Sequence, residues 1–143
     1  MTDTSKSTKR TKLPAAKDWR ARDIEDWNVT TFHAYLEDKH EELFGIDYVP
    51  YKGWTAEKGM IGDLIGTRTG KPRKASNEAV KKFIDITFES YQPTPQYPGV
   101  NFGWVWTYRK TDWQRIQAEE LAQERRKASA EDAPDLSELD GWW

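Results

Sequence analysis

Six cations in the fifteen residues from 68 to 82, namely Arg68, Lys71, Arg73, Lys74, Lys81 and Lys82, face one acid, Glu78. The chemistry on offer is phosphate binding, because guanidinium forks and ammonium charges pair with anionic oxygens. Four of the six lie in Gly66-Thr-Arg-Thr-Gly-Lys-Pro-Arg-Lys-Ala75, where two glycines and a proline predict a flexible loop. Ser76 or Asn77 then caps a helix whose unpaired first-turn amides can add to the phosphate site. The N-terminal arm repeats the theme: Lys6, Lys9, Arg10, Lys12, Lys17, Arg20 and Arg22 oppose only Asp3 and Asp18. Nucleic acid is therefore an expected partner, bound with salt-sensitive affinity. The competing reading is a solvated loop, with Lys81 and Lys82 on the open face of the helix.

Other chemistries fit less well. A phosphate-binding P-loop needs four residues between its glycines and a Ser or Thr after the lysine. Here three residues separate Gly66 from Gly70, and Pro72 follows Lys71. His33 and His40, with Glu37 between them, fall on one side of a helix. Their separation of seven departs from the i, i+4 spacing of a helical zinc pair. A partly exposed structural role is expected for both. The chain has no cysteine, which removes disulfides, thiolate metal sites and cysteine nucleophiles. No Ser–His constellation is recognisable either. The expectation is a non-enzymatic protein with no cofactor and no metal.

The other end of the chain has the opposite charge. Residues 128–143 carry five acids (Glu131, Asp132, Asp135, Glu138, Asp140), no base, and a final Trp142-Trp143. A stretch so acidic and poor in apolar groups cannot offset its ordering entropy, so it is predicted to be disordered. Two tryptophans on such a tail suit capture by a partner. Asp135, Leu136, Glu138, Leu139, Asp140, Trp142 and Trp143 are the candidate partner-binding residues. Docking onto the chain's own basic loop is the alternative.

Helices must position these features. Phe32, Tyr35, Leu36, Leu43 and Phe44 recur at helical spacing, predicting a helix over 29–44 with Asn28 or Thr30 as N-cap and Gly45 at its end. Its opposite face carries Glu37, Asp38, Glu41 and Glu42. Tyr48, Tyr51 and Trp54 in the connector should cover the core edge. A shorter helix over 56–65 buries Met60, Ile61, Leu64 and Ile65, capped by Thr55 and ended by Gly66. Gly59 and Gly62 each cost it about 1 kcal/mol relative to Ala. Val80, Phe83, Ile84, Thr87, Phe88 and Tyr91 define a third helix, stopped by Pro93. Residues 101–109 alternate like a strand, but no second strand pairs with them, which favours helix or irregular structure. Thr111-Asp-Trp-Gln114 reads as a capping box opening a last helix to about Lys127. Its seam of Trp113, Ile116 and Leu121 is narrow, leaving the distal half in solvent.

The ring-rich segment has two uses. Phe102, Trp104, Trp106, Tyr108 and Trp113 can stack on single-stranded bases, but the favoured expectation is that they form the core. Trp19 and Trp27 are expected to staple the arm to the domain.

The run from Trp27 to Tyr108 resembles small proteins that bacteriophages encode in their replication or host-takeover regions. The residues concerned are Phe32-His-Ala-Tyr-Leu36 with Phe44-Gly45, Ser76-Asn-Glu-Ala-Val-Lys-Lys-Phe-Ile-Asp85 with Phe88-Glu-Ser-Tyr91, and Tyr97-Pro98 with Phe102-Gly103. The tail, through Asp135, Glu138, Asp140, Trp142 and Trp143, resembles the C-terminal peptides of single-stranded-DNA-binding proteins. That likeness implies recruitment of replication partners and competition for the protein's own nucleic-acid site. It extends to the tail alone, since those proteins are β-barrels.

The fold class expected is mainly α: a compact four-helix domain at 23–127 with an aromatic-rich core, a disordered basic arm at 1–22 and a disordered acidic tail at 128–143. No apolar run could serve as a signal peptide or span a membrane, so a cytoplasmic location is expected, in the host cell if the protein is viral. The expected function is a phage-type accessory factor of replication or transcription that contacts nucleic acid through the basic loop and recruits a host or phage replication or transcription protein through the tail. The alternative is a protein-only modulator of a host enzyme, acting by DNA mimicry through the acidic first helix and tail.

Overall fold

The computed structural model describes residues 13–132, so the expectations for the first twelve residues and for 133–143 lie outside the described residues. Among those described there are five α-helices and no strand: α1 (Val29–Phe44), α2 (Trp54–Ile65), α3 (Asn77–Ser90), α4 (Phe102–Tyr108) and α5 (Lys110–Asp132), preceded by a 3₁₀ turn at Ile24–Asp26. The segment that alternates like a strand is α4, which makes five helices where four were expected. None is long and apolar enough to cross a membrane.

Caps decide most of the helix ends. Asn28 accepts from the Thr31 amide while the Thr31 hydroxyl accepts from the Asn28 amide, a reciprocal capping box at α1. Gly45 closes α1 in the left-handed conformation at φ 73°. Ser76 caps α3 by accepting from the Ala79 amide, and Asn101 caps α4 through the Trp104 amide. Two predicted caps are displaced. Helix α2 starts at Trp54, behind Gly53 rather than Thr55. Helix α5 starts at Lys110, so Thr111 lies inside it, because α4 ends only one residue earlier and Arg109 alone turns the chain.

Helix α3 is the centre of the fold, packing against α1, α2, α5 and the 3₁₀ turn. Its Val80, Phe83 and Ile84 are fully buried. Phe83 collects rings from both later helices: Phe102 at 6.2 Å, Trp106 at 5.7 Å and Trp113 at 5.7 Å between centroids, all edge-to-face. Each such pair adds about 0.5–1.5 kcal/mol beyond its area burial. Among the described residues the buried core is mixed, with eight aromatic and ten aliphatic members, rather than built on a few large rings alone. Beyond Ile116, α5 leaves the core, and Leu121 is exposed.

Ordered structure extends past both expected limits. Trp19 packs edge-on against Trp27 and Tyr35, with centroids at 6.0 and 4.7 Å, and its indole N–H donates to Asp38 at 2.8 Å. This ring anchors residues 13–22, which the composition assigns to a disordered arm. At the other end α5 runs to Asp132, five residues into the segment read as tail.

Candidate nucleic-acid interface

The loop between α2 and α3 is closed by backbone bonds rather than free. Gly66 takes φ +83°, and a Cβ there would lie 2.8 Å from the Arg73 nitrogen, so only glycine lets the return strand of the loop pass this close. Thr67 N donates to Lys71 O at 2.9 Å, and Lys74 N and Ala75 N both donate to Leu64 O at 2.9 Å. The Thr67 hydroxyl accepts from the amides of Gly70 and Lys71. This closure brings Arg68, Lys71 and Arg73 around a concavity of about 310 Å³ whose lining includes Trp27, Gly66 and Thr67 and no acid.

The three cations are held differently. Arg68 makes no hydrogen bond or ion pair among the described residues. Lys71 Nζ reaches Asp63 at 2.5 Å in solvent, and this contact holds the Asp63 carboxyl below its usual range. Arg73 spends one terminal nitrogen on Ala75 O at 3.0 Å and Asn77 Oδ1 at 2.9 Å. A guanidinium has five N–H donors, so its remaining edge is available to an anion.

The other predicted cations go elsewhere. Lys74, also without a described side-chain partner, lines a neighbouring open groove with Arg73 and Lys127, but Glu78, Glu120 and Glu124 line it too. Lys81 pairs with Asp85 at 2.8 Å and lies over the Tyr35 ring. Lys82 pairs with Glu119 at 2.8 Å. Neither lines the concavity: the roughly 100° between adjacent helix positions aims Lys81 at the Tyr35 ring of α1 and Lys82 at α5. The first turn of α3 does not serve as the expected phosphate cradle: Ser76 already occupies the Ala79 amide, and its hydroxyl donates to Glu120 at 2.8 Å. A carboxylate there repels phosphate.

The rings divide. Phe102 and Trp113 are buried and Trp106 is partly buried, as a core requires. Trp104 and Tyr108 are 36% and 67% exposed, with ring centroids 5.3 Å apart, beside Tyr91. Tyr91 follows the C-terminus of α3, whereas the basic loop precedes its N-terminus. The intervening 14 residues span about 21 Å at 1.5 Å per residue. Exposed rings and clustered charge therefore do not share one site.

A second polar centre escaped the sequence reading. Glu57 is completely buried and accepts four hydrogen bonds: from His33 Nε2 at 3.2 Å, the Tyr48 hydroxyl at 2.5 Å, Tyr51 N at 2.9 Å and Gly103 N at 3.1 Å. Tyr48 in turn accepts from Phe102 N at 2.8 Å. Burial, then the Glu57 charge, pushes the Tyr48 hydroxyl well above its ordinary range. The spacing held a clue, because Glu57 precedes Ile61 by four and Leu64 by seven, on the apolar stripe of α2. Both histidines are buried, at 5% and 2% exposure, rather than partly exposed. His40 Nδ1 donates to Ile46 O at 3.0 Å while its Nε2 accepts from Val100 N at 3.2 Å. It thus fastens the segment before α4 to the end of α1. Among the described residues no group of three or more His, Cys, Asp or Glu is placed to hold a metal ion.

No protein-family model, curated protein or solved structure matches the chain.

Proposed function

We propose that this protein is an accessory nucleic-acid-binding factor, of the kind bacteriophages encode for replication or transcription, whose 66–76 loop contacts backbone phosphates. The supporting observation is the convergence of Arg68, Lys71 and Arg73 on one acid-free concavity. Two guanidinium groups and an ammonium suit phosphate oxygens, contacts that carry no sequence information. Binding is therefore sequence-independent and driven by counterion release. The Asp135–Trp143 peptide supplies, by its sequence, the second half of the reading: recruitment of a protein through Trp142 and Trp143.

Fluorescence anisotropy with labelled single- and double-stranded oligonucleotides at low and high salt tests the first half. Binding that weakens steeply with salt is expected, and no binding at low salt contradicts it. Protein-only mimicry of DNA through α1 has less support, because Asp38 already accepts from Trp19 and pairs with Arg20.

A further inference from the structure

Asn77, the first residue of α3, is 1% exposed and uses both ends of its amide. Its Nδ2 donates to Ile24 O at 2.8 Å and to Trp27 O at 2.9 Å, and its Oδ1 accepts from Arg73 Nη1 at 2.9 Å. Two carbonyls at one end and a cation at the other fix which way the amide faces. One buried side chain therefore joins the 3₁₀ turn, the Trp27 wall of the concavity and the basic loop. Arg73 Nη1 also donates to Ala75 O at 3.0 Å. Both acceptors are uncharged, and Arg73 makes no ion pair among the described residues. The guanidinium is held in place without its charge being neutralised.

Which edge is held decides what Arg73 can bind. Both bonds fall on Nη1, so the edge formed by Nε and Nη2 keeps its two parallel N–H groups. That edge matches two oxygens on one phosphorus, and an internucleotide phosphodiester presents two non-bridging oxygens. Arg68 lines the same concavity without a described partner, so its side chain must be ordered when a phosphate binds. We propose that Asn77 is a positioning residue for phosphate: it presets Arg73 as a bidentate fork for both non-bridging oxygens of one phosphodiester, while Arg68 and Lys71 act as point charges. This rests on the reading of the 66–76 loop as a phosphate site. It adds that the three cations are unequal, and that the phosphodiester is held by geometry as well as by charge.

Two charge-conserving changes in the full chain, Arg73→Lys and Arg68→Lys, separate fork from charge. They are read by anisotropy with a labelled oligonucleotide over a series of salt concentrations. Arg73→Lys should weaken binding about tenfold, the worth of one charge-assisted hydrogen bond, with the slope of log affinity against log salt unchanged. Arg68→Lys should keep wild-type affinity. Asn77→Ala should also cost about tenfold in the wild-type chain and nothing further in Arg73→Lys, whereas a purely structural asparagine costs the same in both. Because Asn77→Ala strips donors from two carbonyls, the unaltered chain supplies a second measurement. The Nη hydrogens of Arg73, held by their acceptors, should give separate nuclear magnetic resonance signals where those of Arg68 are averaged by rotation. Equal effects of the two lysine changes, a uniform cost of Asn77→Ala, or averaged Arg73 signals would overturn the proposal while oligonucleotide binding itself survives. Absence of binding by the wild-type chain at low salt would overturn the phosphate reading, and this proposal with it.

Discussion

The hydroxyl of Tyr48 donates at 2.5 Å to the carboxylate of Glu57, which has no solvent exposure. Through this pair the connector after α1, helix α2 and the start of α4 are tied at one point, since Tyr51 N and Gly103 N bond the same carboxylate. A buried charge is tolerable only while its donors stay in place.

Removing the acceptor should therefore be among the most damaging single changes. Glu57→Ala is expected to cost about 3–5 kcal/mol, the range for breaking a buried charged network. Tyr48→Phe leaves Glu57 and the Phe102 amide each one partner short and should cost about 1–3 kcal/mol. Urea denaturation of the two variants checks the order; equal stability to wild type would contradict it.

Gly103 lies so close to the Tyr51 side chain that an added Cβ would overlap it. Gly103→Ala must displace Tyr51, whose amide is a Glu57 donor. Overpacking of this kind costs about 1–3 kcal/mol, against the gain of about 1 kcal/mol that Ala brings elsewhere in a helix. A lowered melting midpoint is expected, and a raised one would show that Tyr51 moves freely.

Alkali provides an independent check. Burial and then Asp85 raise the Tyr35 hydroxyl, and burial and then Glu57 raise that of Tyr48. Both ionise more readily in the unfolded chain, near the ordinary value of about 10. Their contribution is complete below that pH and is lost as pH rises towards the folded values. Unfolding free energy should fall as pH rises above about 10, and less steeply in Tyr48→Phe.

Trp104 and Tyr108 are the exposed rings, yet they lie by the far end of α3 from the basic loop. Trp104→Ala is expected to leave oligonucleotide affinity intact. Loss of about 1–3 kcal/mol, the worth of one stacked base, would place the nucleic acid over these rings instead.

The helices were legible where one face is uniformly apolar. Val80, Phe83, Ile84, Thr87 and Phe88 on α3 are all buried at the expected period. The strand-like alternation of 102–108 does not track burial, because burial in α4 rests on Phe102 and Val105, while Trp104 and Tyr108 face outward. Arg68, Lys71 and Arg73 were legible as a cluster from charge alone. Which of the six cations stay available was not, because Asp85 and Glu119, which take Lys81 and Lys82, meet them through helix register and through packing of α5 on α3. Glu57 was hidden by its own type, since a carboxylate on an apolar stripe is read as exposed unless its distant donors are known.

Two charge reversals compared in one salt titration of oligonucleotide binding show whether the 66–76 loop holds phosphate. Arg68→Glu/Arg73→Glu alters two of the three cations on the acid-free concavity, and Lys81→Glu/Lys82→Glu alters two that are paired on other faces. The first pair should weaken binding and reduce the slope of log affinity against log salt by about one for each phosphate no longer neutralised, while the second keeps the wild-type slope. Equal weakening by both pairs, or no binding by wild type at low salt, would contradict phosphate recognition by the 66–76 loop.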